Sequence, residues 1–194
     1  MIEILGERKT GTNYARRMIT LNYTEPVISN GWKHRYLTEV KNDVLYICCI
    51  RDPYQWLKSI FVKPYEMDYL RGKDFAAAIR TQIKDPDGLV FTNLIHLWNK
   101  KNTRYLTIPE KRRHFLKHED VIKDCGKEFA AIQDKFGLTA SGQFKNIFNH
   151  VDDMGVNNKP FKENPYFDID RKTKDFINSH LDKQLMNKLA YSLQ

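Results

Sequence analysis

Residues 1–18 read MIEILGERKTGTNYARRM, and this stretch carries the first evidence for the fold. Residues 2–5 form a short apolar run that stops at Gly6, as a buried strand does. From Thr12 to about residue 21 apolar residues recur at helical spacing, which predicts a helix. A strand, a glycine-containing loop and a helix in this order form the local context in which backbone N–H groups bind a phosphate.

The loop itself, GERKTGTN at residues 6–13, has the two-glycine spacing of a phosphate-binding P-loop. In that motif the second glycine is followed by Lys and then Ser or Thr, which serve a nucleoside triphosphate and its magnesium ion. Here Thr12 and Asn13 stand at those positions, and the lysine of the loop, Lys9, precedes the second glycine. Taken alone, the loop is equally typical of an ordinary turn between a strand and a helix.

A second strand–turn–helix unit follows. Residues 44–50, VLYICCI, are continuously apolar, which predicts a central strand covered on both faces. Asp52 is a good N-cap and Pro53 a good first residue for the next helix. Arg51 ends the strand, and Ser59 lies about two helical turns beyond the cap, on the same side. The two side chains could hold one phosphate from two directions, although each also has an ordinary structural interpretation.

The remaining pattern predicts helices near 73–83 and 89–101, a strand over about 113–118, a helix over about 120–136 that ends at Gly137, loops over 139–168, and short helices near 171–180 and 182–190. Residues 27–28 are a further candidate for a short strand. Alternating strands and helices predict an α/β fold with three layers, in which helices flank a mainly parallel central sheet. We expect one domain over 1–194, with ligands bound beyond the carboxyl ends of the strands.

The composition indicates an anionic partner. The formal charge is +8 and the isoelectric point is about 9.3, which favours nucleic acid, a membrane surface or a small phosphorylated or sulfated ligand. Three sparse cysteines without metal-ligand spacing argue against a disulfide framework or a zinc site and fit a reducing compartment. No apolar stretch is long enough to cross a membrane, and the first predicted strand begins at residue 2. We therefore expect a soluble cytoplasmic protein without a signal peptide.

Lys33 and His34 stand in a segment between the two strand–helix units. Histidine is the natural general base near neutral pH. Five other histidines occur, and a lone histidine is more often structural than catalytic. The assignment of His34 as a base therefore depends on its neighbours.

Together these features resemble the sulfotransferase family, which transfers a sulfuryl group from 3′-phosphoadenosine 5′-phosphosulfate (PAPS). Its first motif is similar to KTGTN at residues 9–13, with the lysine before the glycine. Its second motif is an Arg at a strand end and a Ser eight residues later, here Arg51 and Ser59. The cytosolic branch has a Lys and a His close together upstream, and Lys33 and His34 resemble that pair, although they are adjacent. The resemblance implies the P-loop NTPase-like sulfotransferase fold.

The resemblance also implies roles for individual residues. His34 would be the base, Lys9 would stabilise the leaving phosphate, and Lys33 would join them as a catalytic residue. PAPS would be the cofactor, with 3′-phosphoadenosine 5′-phosphate (PAP) as product and no metal. The implied cofactor-binding residues are Arg8, Lys9, Thr10, Gly11, Thr12, Asn13, Tyr14, Arg51, Ser59 and Lys159.

Within that set, Tyr14 would stack on adenine, and Arg51 with Ser59 would bind the 3′-phosphate. Two departures from the family pattern stand out. The late R-K-G segment of the cytosolic branch is missing, and GVNNK at residues 155–159 is the candidate substitute. His118 stands where many members have an aromatic residue before Glu-Asp.

Two other functions stay open. A P-loop nucleotide kinase would share the opening strand, loop and helix but would need the Gly-Lys-Ser/Thr string. A basic nucleic-acid-binding module would use the charge of +8. It would not explain the positions of four residues, Lys9, Arg51, Ser59 and His34, so we expect no nucleic acid partner.

The acceptor stays open among glycans, lipids, peptides and small alcohols or amines. We expect its pocket to come from residues 62–90 and 139–168. Candidates for an aromatic lining are Tyr65, Tyr69, Phe91 and Trp98, although aromatic residues at such spacing are more often core.

Overall fold

The computed structural model describes residues 1–28, 32–147, 149–152, 155–160 and 167–194, of which 149–152 and 155–160 are described for their backbone alone. The strands are β1 (Ile2–Gly6), β2 (Leu45–Ile50), β3 (Ile83–Lys84), β4 (Val90–Phe91), β5 (Arg113–Lys117), β6 (Asn149–Asp152) and β7 (Gly155–Pro160). The α-helices are α1 (Thr12–Asn22), α2 (Pro53–Val62), α3 (Phe75–Arg80), α4 (Leu94–Tyr105), α5 (His118–Lys123), α6 (Cys125–Phe136), α7 (Arg171–His180) and α8 (Lys183–Lys188).

The chain forms two compact units. Unit 1 comprises Met1–Arg51 and Tyr105–Glu163, and unit 2 comprises Asp52–Arg104 and Asn164–Gln194. The expectation of a single domain over 1–194 stays a prediction.

A parallel sheet forms the centre of unit 1, with the strand order β1-β2-β5. Cys49 of β2 lies opposite Gly6 of β1 on one side and Leu116 of β5 on the other. Because the strands are parallel, their carboxyl ends meet at one edge of the sheet, where the chain continues into the loop after Gly6, into Arg51 and into His118. The predicted α/β class with a parallel sheet is confirmed.

The core of unit 1 explains why β2 is apolar on both faces. Its residues from Tyr46 to Ile50 are at most 1% exposed. Ile47 and Cys49 face a cluster that includes Met18 of α1 and Phe129 of α6, so these two helices pack on that side of the sheet. Full burial of such a side chain contributes about 1.5–3 kcal/mol to stability.

In unit 2, α2 begins where the sequence predicts. The Asp52 carboxylate accepts a hydrogen bond of 3.0 Å from the backbone N–H of Gln55, and Pro53 is the first helical residue. A second polar contact is fully buried: Lys101 Nζ of α4 lies 3.0 Å from Asp85 Oδ2, immediately after β3. Loss of one member would leave an uncompensated buried charge, which typically costs about 3–5 kcal/mol.

Three parts of the fold differ from the expected pattern. Residues 139–168, predicted as loops, contain the antiparallel hairpin of β6 and β7. Their Asn, Gly and Asp residues are poor strand formers, which hides the hairpin in the sequence. The helix predicted over about 120–136 is two helices, α5 and α6, divided at Asp124, whose side chain caps α6. The two-residue strands β3 and β4 overlap the facing ends of the helices predicted near 73–83 and 89–101, which the structure limits to α3 and α4.

Across the described ranges, none of the helices combines the length and the apolar content that crossing a bilayer requires.

Gly6 provides a test of how tightly β1 joins its loop. A Cβ at this position would lie 2.6 Å from Thr10 Oγ1 and 2.7 Å from the Cys49 carbonyl oxygen. We expect Gly6→Ala to lower the free energy of unfolding by about 1–3 kcal/mol, because the backbone oxygen of a packed strand cannot move aside. Urea unfolding followed by circular dichroism measures the change.

The matched control is Gly126→Ala on α6, where the nearest atom to an added Cβ is 3.6 Å away. Alanine is the better helix former, so this variant should be as stable as the wild type or more stable. An equal stability of Gly6→Ala and the wild type would contradict the close packing at Gly6.

Candidate functional site

The loop between β1 and α1 is a compact turn. Thr10 donates twice to the Glu7 carbonyl oxygen, from its hydroxyl at 2.6 Å and from its N–H at 3.2 Å. Lys9 and Gly11 have positive φ values of 67° and 92°. Left-handed residues in such a turn direct successive backbone N–H groups into one concavity that favours anions, and for a residue with a side chain this conformation costs about 1–3 kcal/mol.

The sequence of α1 offers few groups that satisfy the N–H donors and the positive dipole at its N-terminus. Its N-cap is Gly11, which has no side chain with which to accept from the first N–H groups. No acidic residue stands in the first turn. The first N–H groups and the positive end of the helix dipole therefore favour a negative charge from outside the helix.

Besides Arg8, which pairs with Glu7, three cations lie in or against this loop. Lys9 is part of it and is half-buried. Arg51, only 8% exposed, donates from Nη1 to the Lys9 carbonyl oxygen at 2.9 Å. Lys33 Nζ donates to Asn13 Oδ1, in the first turn of α1, at 2.5 Å. Cations gathered at the positive end of a helix raise the local potential, and a bound anion offsets their repulsion.

His34 is tied to the end of β1. Its Nδ1 lies 2.7 Å from the Gly6 carbonyl oxygen, and the Gly6 N–H donates to the Lys33 carbonyl oxygen at 3.2 Å. A carbonyl oxygen only accepts, so Nδ1 carries the proton and Nε2 is the acceptor nitrogen of the neutral ring. Burial lowers the pKa of His34, Glu7 and the Gly6 carbonyl act in the opposite direction, and Arg8 and Lys33 lower it further. The ring is thus neutral near pH 7, as a general base must be.

A buried ion pair lies beside His34. Glu7 Oε1 accepts from the backbone N–H of Arg8 at 2.8 Å and from its Nη1 at 2.9 Å. The Arg8 guanidinium lies over the ring of Trp32, and Trp32 packs edge-on against His34. The sequence does not predict the pairing of Glu7 with Arg8 or the contact with Trp32, because no motif marks them.

His118 lies close to Gly11 in the loop. Its Cδ2 would be 3.6 Å from a Cβ at Gly11. Burial and, secondarily, the charge of Arg51 lower its pKa to about 3. His118 therefore presents a neutral ring near Gly11 at all physiological pH values.

The remaining predicted residues are Tyr14, Ser59 and Lys159. Tyr14 belongs to the core of unit 1, and its hydroxyl donates to Asn146 Oδ1 at 2.7 Å and lies 3.0 Å from Cys125 Sγ. Ser59 lies on α2 in unit 2 and is 8% exposed. Lys159 lies on β7, and its side chain falls outside the described part of the chain.

The aromatic candidates for an acceptor pocket divide into two classes. Phe91 and Trp98 are buried in the core of unit 2, whereas Tyr65 and Tyr69 are more than 40% exposed. In unit 1 the predicted residues that the structure brings together are Arg8, Lys9, Thr10, Gly11, Thr12, Asn13, Lys33, His34 and Arg51.

Among the described residues, no group of three or more His, Cys, Asp or Glu side chains is placed to hold a metal ion.

The solved structures that are similar to this chain include two sulfotransferase domains. The sulfotransferase domain of the olefin synthase from Synechococcus PCC 7002 is 20% identical over 79% of this chain, with a TM-score of 0.43. The sulfotransferase domain from the curacin biosynthetic pathway is 17% identical over 79% of this chain, with a TM-score of 0.42. The matches span 51% and 56% of those two chains, so this chain covers little more than half of their length. No protein-family model matches the chain, and no curated protein matches it.

The lowered pKa of buried His118 makes the free energy of unfolding depend on pH. Above the ordinary histidine pKa of 6.5, His118 is neutral in both the folded and the unfolded chain. Below that pH the unfolded chain binds a proton that the folded chain does not, so the free energy of unfolding falls as the pH falls, by at most about 1.4 kcal/mol per pH unit for one histidine. We expect His118→Asn to show a shallower fall between pH 7 and pH 5 in urea titrations.

The control is His180→Asn, because His180 is exposed. This variant should keep the wild-type slope. An identical slope in His118→Asn and the wild type would contradict the neutral buried ring.

Proposed function

We propose that this chain is a PAPS-dependent sulfotransferase that moves a sulfuryl group in line to a hydroxyl or amine acceptor. The observation that carries the proposal is the gathering of Lys9, Lys33 and Arg51 at the uncompensated N-terminus of α1, with a neutral His34 fixed at the same strand end. The residues of both phosphate motifs support it, because Lys9 and Arg51 fall at the positions that the sulfotransferase resemblance implies.

The backbone N–H groups of Gly11, Thr12 and Asn13 are proposed to bind the 5′-phosphosulfate. They belong to the left-handed turn and the first turn of α1, where donors converge. Thr10 supports the turn, since its hydroxyl and its N–H both bond to Glu7. Tyr14 is left out of these contacts, because its ring is 7% exposed and its hydroxyl is bonded within the core.

His34 and Lys9 divide the chemistry. The acceptor hydroxyl gives its proton to His34 Nε2 while its oxygen forms a bond to sulfur, and the bond between sulfur and the bridging phosphate oxygen breaks with its electron pair going to that oxygen. Lys9 stabilises the charge that develops there. General-base assistance of this kind is typically worth about 10²–10⁴-fold in rate.

Fixed cations can serve this reaction where a kinase uses magnesium. A sulfuryl group carries less negative charge than a γ-phosphoryl group, so less charge must be neutralised in the transition state. Lys9, Lys33 and Arg51 supply that charge from the protein, which fits a loop in which Thr12 and Asn13 stand in place of the P-loop Lys and Ser/Thr.

Arg51 is proposed to have two tasks. It holds the loop through the Lys9 carbonyl oxygen, and it binds the 3′-phosphate, which distinguishes PAPS from nucleotides without that group. The sequence-based expectation that Ser59 contributes to the same phosphate stays a prediction.

Transfer of labelled sulfate from PAPS to a panel of glycans, lipids, tyrosine peptides and small phenols tests the function. We expect the wild type to label at least one class and Lys9→Ala to lower kcat about 10²–10³-fold, because the developing charge loses its partner. The control is Lys111→Ala, whose exposed lysine lies in a surface turn and should leave turnover unchanged. A wild-type kcat in Lys9→Ala would contradict the assigned role.

Binding of PAP and of 5′-AMP, which lacks the 3′-phosphate, separates the two tasks of Arg51. We expect Arg51→Ala to weaken PAP about 10–100-fold, as expected for a lost hydrogen bond to a charged group, and to weaken AMP less. Isothermal titration calorimetry gives both dissociation constants.

The control is Arg112→Ala, because Arg112 also donates to a backbone carbonyl oxygen, that of Lys41. It should keep the wild-type preference for PAP. An equal loss of PAP and AMP affinity in Arg51→Ala would mean that Arg51 only holds the loop.

A further inference from the structure

We propose that Arg8 and Trp32 are positioning residues for His34: the guanidinium, held by Glu7, supports the indole ring, and the indole fixes the imidazole with Nδ1 on the Gly6 carbonyl oxygen. This inference rests on the proposed function for its catalytic consequence. It assigns to Arg8 a task other than the cofactor contact that the resemblance implies.

The first link is the ion pair of Glu7 and Arg8. The Glu7 carboxylate accepts from both the backbone N–H and the side chain of the neighbouring residue, at 2.8 and 2.9 Å. Both side chains are at most 5% exposed. A carboxylate bonded to its neighbour's amide has little freedom, so the guanidinium that it binds is fixed as well.

The second link is the ring of Trp32, which contacts both Arg8 and His34. Arg8 Cζ lies 4.8 Å from the centroid of the Trp32 ring, within the range of a cation–π contact. The Trp32 centroid lies 5.8 Å from that of His34, with the ring planes at 89°. Perpendicular packing at this distance is a favoured aromatic geometry, and it restricts the imidazole from the side while Gly6 holds Nδ1.

These contacts also set the electrostatic surroundings of His34. Burial disfavours its charged form, Arg8 and Lys33 do the same by repulsion, and Glu7 and the Gly6 carbonyl favour the charged form. Removing Trp32 exposes the ring to water. Removing the charge of Arg8 leaves Glu7 as the dominant neighbour. Both changes therefore favour protonation of His34.

A matched control lies on the far strand of the sheet. Arg113 Cζ lies 4.8 Å from the centroid of the Phe115 ring, so β5 carries a guanidinium–ring contact of the same length as that of Arg8 and Trp32. Phe115→Leu removes a contact of the same kind at a distance from β1. It separates a general loss of packing from an effect on His34.

The first readout is the titration and tautomer of His34, measured by NMR on histidine-labelled protein without nucleotide. A His34→Gln variant identifies its signal among the six histidines. We expect the wild type to show the Nδ1–H tautomer and a pKa below the ordinary value. Arg8→Met and Trp32→Leu should raise the pKa by about half a unit or more and mix the two tautomers, because the ring gains water and freedom. Trp32→Phe and Arg8→Lys should restore part of the wild-type behaviour.

The second readout is the pH profile of turnover. In Arg8→Met and Trp32→Leu, kcat should fall about 10–100-fold, as displaced catalytic groups typically do, and the acid limb should move to higher pH. Phe115→Leu should change neither readout. Wild-type titration and tautomer of His34 in Arg8→Met, or in Trp32→Leu, would overturn the proposal, as would an equal shift in Phe115→Leu.

The two proposals fail in different ways. Calorimetry with PAP on the wild type tests the proposed function, whereas the NMR titration needs no ligand. Absence of PAP binding with an intact response of His34 would refute only the sulfotransferase function. PAP binding with an unresponsive His34 would refute only the positioning.

Discussion

The hydrogen bond between His34 Nδ1 and the Gly6 carbonyl oxygen joins the parts on which the site depends. Gly6 ends β1, begins the loop that leads into α1 and packs against the Cys49 carbonyl oxygen of β2. Its N–H donates a hydrogen bond to the Lys33 carbonyl oxygen. One residue without a side chain therefore fixes the strand, the loop and the tautomer of the histidine relative to one another.

The loop conformation and the clustered positive charges are unfavourable in the absence of a bound anion. Left-handed backbone at Lys9 and cations at the positive end of a helix both cost free energy in the folded protein. An anion that binds only the folded chain offsets such costs through mass action, by about 2.7 kcal/mol at a hundred times its dissociation constant. In the proposed function, the nucleotide has two anionic groups, the phosphosulfate and the 3′-phosphate, which together need all three cations, Lys9, Lys33 and Arg51. A single phosphate would not need all three.

The sequence predicts the local features well, because short-range chemistry determines them. Asp52 and Pro53 mark the start of α2, and Gly137, with a φ of 62°, ends α6. Contacts between residues far apart in the chain are not predictable from such local signals. The stacking of Arg8 on Trp32 joins residues far apart in the chain, and nothing in either segment marks it. The β6–β7 hairpin is formed by residues with low strand propensity, so backbone pairing, not side-chain pattern, determines it.

The most direct test of the central claim is calorimetric titration of the wild-type chain with PAP and, separately, with ATP and magnesium. A chain in which Lys9, Lys33 and Arg51 neutralise the ligand should bind PAP without any divalent cation, and PAP should bind more tightly than magnesium–ATP. Tight binding of magnesium–ATP with no binding of PAP would contradict the account and favour a nucleotide kinase.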